Sequence, residues 1–125
     1  MHDQPAAHEL VAAVRRFLEE TARPALTGHA AFHARVAENA LAIVERELLT
    51  KHDNETDEKQ RLISLLGDVS ETSLEYLNRE LSGAIRSGKM TLETPGLFDH
   101  LKATAIAQLK VDQPRYSGLA TAIKA

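Results

Sequence analysis

Between His29 and Leu49 the chain carries neither glycine nor proline, and apolar side chains recur there at helical spacing. At 100° per residue Phe32, Val36, Ala40, Ile43 and Val44 fall on one side, with Leu41 and Leu48 widening it. The spacing predicts an amphipathic helix of roughly 30 Å at 1.5 Å rise per residue, the central element of whatever this chain builds.

The flanking segments predict four more helices. Asp3 as N-cap and Pro5 in the first turn open the first, which runs to about Thr21. Leu10, Val14, Phe17 and Leu18 share one face of it, with Val11 beside them and Arg15, Arg16, Glu19 and Glu20 outside. Pro24 and Gly28 predict a loop over residues 23–28. The polar stretch from Thr50 to Glu55 predicts a linker, after which Asn54 or Thr56 caps a short third helix carrying Leu62, Ile63, Leu65 and Leu66 and stopped by Gly67. Asp68 and Glu71 resemble a capping box for a fourth helix. Its stripe of Leu74, Leu77, Leu81 and Ile85 ends at Gly88 and leaves Tyr76 on the opposite side. Thr94 and Pro95 open a fifth, with Leu97, Phe98, Leu101, Ala105 and Leu109 on its face and Pro114 at its close. Valine and isoleucine never alternate with polar residues over a strand's length, so no sheet is expected. The expected fold is all-α: one up-and-down bundle of about five helices in a single domain over residues 1–125, with a core of about 4–116 and a tail from 117 to 125.

Composition narrows the chemistry. With 125 residues, 43% of them apolar, the chain has enough for one shared core. The absence of cysteine removes disulfides, zinc–thiolate sites, iron–sulfur clusters and thiol nucleophiles together. No apolar run exceeds the five residues of Ala40 to Val44, far short of the roughly 20 residues of a membrane span, and the amino terminus lacks a basic region followed by an apolar one. A soluble, cytoplasmic protein without a membrane partner is expected. A net charge of −3, two tyrosines and three phenylalanines offer neither a basic footprint nor a stacking platform, so no nucleic-acid partner is expected.

Three polar groupings invite a chemical reading. Gly83 to Met90 follows the spacing of a phosphate-binding loop up to its last position. A helix precedes it where a strand is needed, however, and Met90 replaces the magnesium-binding hydroxyl. His29 and His33 stand one turn apart, but no third ligand accompanies them and no metal or other cofactor is expected. His33, read as lying within the apolar face, sits near Arg35 and Asn39, which are four residues apart. Together the three line a polar notch able to hold a carboxylate or phosphate through the planar arginine fork, or form a structural polar network. In the segment from Asp112 to Tyr116, Arg115 and Tyr116 either dock the tail or present a contact to a partner. No serine lies in a nucleophile-elbow sequence, and no catalytic residue is assigned.

The segment from Phe32 to Glu47, with Arg23 to Leu26 upstream and Pro114 to Tyr116 downstream, resembles a bacterial family of small helical domains of unknown function over roughly residues 4–117. Members of that family are often encoded beside aminoglycoside-phosphotransferase-like kinases and acyl-CoA dehydrogenases. The resemblance implies a non-catalytic accessory domain for such a kinase or acyl-CoA-processing enzyme, with Arg35, Asn39, Arg115 and Tyr116 as candidate contacts. The alternative is a bundle that binds an anionic metabolite, such as an acyl-CoA or hydroxy acid, beside His33, Arg35 and Asn39. Self-association into a homo-oligomer is compatible with the long second helix.

Overall fold

The structure, a computed structural model, describes residues 4–124. Five α-helices and no strand occur among them: α1 Ala7–Phe17, α2 Gly28–Leu66, α3 Leu74–Arg86, α4 Leu97–Asp112 and α5 Ser117–Lys124. The all-helical expectation and the helix number both hold, whereas several boundaries move. Asp3, read as the first N-cap, lies outside the described residues. Ala6 takes that place, with its N–H donated to the Glu9 carboxylate at 3.1 Å. The predicted loop at residues 23–28 shrinks, because α1 passes into a π-helical stretch, Leu18–Ala22, and then a 3-10 turn, Arg23–Ala25.

The largest correction concerns the predicted linker from Thr50 to Glu55, which is helical throughout. The second and third predicted helices are one element of 39 residues. Nothing before Gly67 forces a stop, since no glycine or proline intervenes from His29 onwards. Thr50 and Thr56 donate their hydroxyls to the carbonyls of Arg46 and His52, each at 2.9 Å, and so satisfy themselves within the helix. Gly67, at φ 76°, then ends α2 in the left-handed conformation open to glycine.

The chain divides into two compact units, Met1–Lys51 and His52–Ala125. In the first, α1 lies antiparallel to the early part of α2, in a register fixed by Arg15 with Glu45 at 2.8 Å and Arg23 with Glu38. The hydrogen bond from Arg15 to Glu45 holds the guanidinium above its ordinary pKa. These contacts turn Ala34 and Glu38 inward, with Ala37, Leu41 and Ala42 half-buried beside them. Part of the face expected to be core is turned outward: Phe32, Val36, Val44 and Leu48 are exposed, as are Leu10, Val14 and Phe17, whereas Ile43, Leu41, Val11 and Leu18 are half-buried. Small alanines let the helices approach, and the ion pairs hold the polar faces together.

The second unit has a leucine core. Leu62 of α2, Leu77 and Leu81 of α3 and Leu97 of α4 form one buried cluster. Each such side chain contributes about 1.5–3 kcal/mol through removal from water. Ser73, rather than Asp68, caps α3 by accepting from the Tyr76 N–H at 3.2 Å. Tyr76 packs against the leucine cluster instead of facing away, while its hydroxyl accepts from Ser70 at 3.0 Å. The N-cap of α4 is Gly96 rather than Thr94. Phe98, Leu101 and Ala105, read as core, are exposed, and the buried face carries Leu97, His100 and Val111. Residues 117–124, read as tail, form α5, anchored by buried Leu119.

Candidate functional site

His33, Arg35 and Asn39 project from α2 into solvent rather than into a notch of the fold. His33 is not packed in an apolar core; its ring meets the exposed Phe32 edge-on, with centroids 5.6 Å apart. Four residues of separation bring Arg35 and Asn39 to neighbouring turns, with no hydrogen bond joining them. Among the described residues no three His, Asp or Glu side chains gather as a metal-binding group. Arg115 and Tyr116 are exposed in the turn before α5, and the Tyr116 ring lies over Gly118. A Cβ at Gly118 would come within 2.6 Å of that ring, so glycine is what lets the tyrosine fold over the start of the helix. The phosphate-loop spacing at residues 83–90 is the end of α3 and its turn, with Gly88 at φ 83° and Met90 against the leucine cluster.

A polar centre that sequence reasoning missed lies inside the second unit. Arg61 of α2 donates Nε–H to Nδ1 of His100 at 3.1 Å and Nη2–H to Oγ1 of Thr104 at 3.1 Å. His100 is only 3% exposed. Burial pushes the imidazole below its usual pKa, and the Arg61 charge pushes the same way against a weaker opposing pull from Glu58. With Nδ1 accepting from a permanent donor, the neutral ring carries its proton on Nε2. Arg61 and His100 also line a cavity of about 390 Å3, together with Ser64, Leu65, Pro95 and Asp99.

The geometry follows from a spacing visible in the sequence. Leu97, His100, Thr104 and Val111 are separated by three, four and seven residues, which puts them on one stripe of α4. The stripe chosen from the sequence followed the largest apolar side chains, Phe98 and Leu101, and so left out the two polar residues of the buried face.

A family model described as a domain of unknown function, DUF6285, matches residues 24–116. The chain belongs to this family. The DUF6285 match takes in Arg61, His100 and Thr104, as well as His33, Arg35, Asn39, Arg115 and Tyr116; it begins after α1 and ends before α5. No curated protein and no solved structure matches the chain. No helix among the described residues of this DUF6285 protein is long and apolar enough to cross a membrane.

Proposed function

We propose that this DUF6285 protein is a non-catalytic interaction module whose first unit docks on a folded protein partner. The observation that carries the reading is the apolar surface left open by α1 and the early part of α2. Leu10, Val14 and Phe17 are 55%, 52% and 56% exposed, and Val44 and Leu48 are each 42% exposed. Because Arg15 pairs with Glu45, Val14 and Val44 stand at the same level of the antiparallel pair, and Leu10 and Leu48 stand one turn further on. Single exposed apolar residues are ordinary, but adjacent ones on two registered helices form a patch of the kind that marks interfaces. Among the described residues of the unit the buried ones are Ala34 and Glu38, little core for a pair of helices to order itself around.

A phosphotransferase-like kinase or an acyl-CoA-processing enzyme is the partner favoured by the genomic company of the family that the sequence resembles. Exposed Arg35 and Asn39 are available as polar rim contacts, the arrangement usual around an apolar interface core. A cytoplasmic location follows if the partner is such an enzyme.

The test is affinity capture of the tagged full chain from its source cells, comparing wild type with Val14→Asp and Val44→Asp after circular dichroism has shown both variants folded. Capture of a kinase or dehydrogenase by wild type, lost in both variants, supports the reading. Equal capture by all three removes the patch from it. A doubled mass in light scattering, reverting to monomer in the variants, would give the face to a second copy of the chain instead.

A further inference from the structure

We infer that the cavity bounded by Arg61, Ser64, Leu65, Pro95, Asp99 and His100 is a binding site for a small monocarboxylate with a short apolar chain. A guanidinium has five N–H groups, and two are spent on His100 Nδ1 and Thr104 Oγ1, which leaves three without a protein acceptor among the described residues. Both acceptors are neutral, and no carboxylate among the described residues forms a salt bridge with Arg61. A half-buried arginine usually has a carboxylate partner, because desolvating its charge is costly. Here two hydrogen bonds instead hold the guanidinium in place at the cavity wall, with three N–H groups left to donate to an acceptor from solution.

The cavity fits one acceptor class. A carboxylate takes two parallel N–H groups from an arginine fork, and its hydrocarbon chain then meets Leu65 and Pro95, with Gly96 adding no side chain to the wall. Asp99 stands on the same wall, so the guanidinium is the one positive charge among the lining groups and is opposed by one negative charge. Asp99 repels any anion that enters, a dianion about twice as strongly as a monoanion, so a monoanion with a neutral tail is the better match to one arginine beside one aspartate. At about 390 Å3 the space lies near the lower end of small-ligand pockets, suited to a short-chain fatty or hydroxy acid rather than to a whole coenzyme A ester. His100 completes the arrangement by using Nδ1 to orient Arg61, which makes it a positioning residue for the guanidinium.

Titration of the full-length, isotope-labelled protein with butyrate and 3-hydroxybutyrate, followed by NMR, tests the site. Butyramide, succinate and inorganic phosphate are the controls. Saturable shifts centred on Arg61, Ser64 and His100 are expected below about 20 mM, with butyramide, succinate and phosphate at least about tenfold weaker. Arg61→Lys keeps the charge but loses the fork and should weaken butyrate binding several-fold, and Arg61→Gln by about tenfold or more. Ser64→Phe fills the cavity from an exposed position while Arg61 keeps its own side chain, and should abolish binding even if Arg61→Gln fails to fold. No saturable response to either acid, phosphate binding as tight as butyrate, or unchanged affinity in folded Arg61→Lys and Ser64→Phe would each overturn the assignment.

Discussion

Arg61 donates its Nε–H to Nδ1 of His100 across 3.1 Å, joining α2 to α4 through a neutral imidazole that is 3% exposed. One contact therefore fixes the tautomer of the histidine and the aim of the guanidinium. It also makes the stability of the fold sensitive to protons, because charging His100 would set two cations against each other in a desolvated place.

Acidification should weaken the fold through His100. Its folded pKa is lowered, first by burial and then by Arg61, whereas the unfolded value is about 6.5. Between those two values the unfolded chain binds more protons than the folded one. The contribution is fully present above about pH 6.5, is lost as the pH falls through the window, and levels off below the folded pKa. His100→Asn offers an amide oxygen to Arg61 and cannot titrate. Urea unfolding at several pH values between 7.5 and 5 should show a shallower pH slope for the variant than for wild type, and equal slopes would remove His100 as the source.

Core deletions should separate the buried leucine cluster from Phe98, an exposed side chain of α4 that size alone would place in the core. Leu62→Ala, at a site with 0% exposure, should cost about 2–5 kcal/mol. Phe98→Ala removes a larger side chain, but one that is 59% exposed, and should cost under about 1 kcal/mol. Denaturant midpoints at a common m-value give both numbers. A Phe98→Ala cost as large as that of Leu62→Ala would restore the apolar-first reading.

Much of the second unit was legible because its signals are local. The Leu74, Leu77 and Leu81 stripe and the stops at Gly67 and Gly88 depend on residues within a few turns of one another. The inward face of α2 in the first unit was not legible, because it is chosen by Arg15 and Arg23, which meet Glu45 and Glu38 at separations of 30 and 15 residues. Small residues and carboxylates won that face over Phe32 and Val36, and no periodicity of apolar size reports such a choice. Arg61 and His100, 39 residues apart, were beyond reach for the same reason. The one local hint was a histidine and a threonine in phase with Leu97 and Val111.

The pair of Arg23 and Glu38 should matter more when broken than when replaced whole. Glu38 is 8% exposed, so Arg23→Met leaves a carboxylate in a largely dry place without its partner. Loss of a fully buried partner costs about 3–5 kcal/mol, and the half-buried position of Arg23 argues for the low end or somewhat below it. The double variant Arg23→Met, Glu38→Leu should recover most of the loss. A thermodynamic cycle over the four proteins measures the coupling, and strictly additive single effects would show that the contact contributes nothing.

Proline scanning should decide whether α2 is continuous through its polar middle. Asp53 is exposed, so its side chain takes no part in a core. As part of a linker, the segment would accept Asp53→Pro with little effect. Within a helix the substitution removes the N–H that bonds four residues back and drives the ring against that residue's carbonyl, at a cost of about 3 kcal/mol or more. Asp53→Ala keeps the N–H and favours the helix by a few tenths of a kcal/mol, which separates the backbone effect from loss of the carboxylate. Chemical denaturation of the two variants should therefore move in opposite directions from wild type. A neutral Asp53→Pro would return residues 50–55 to the linker that their composition suggests.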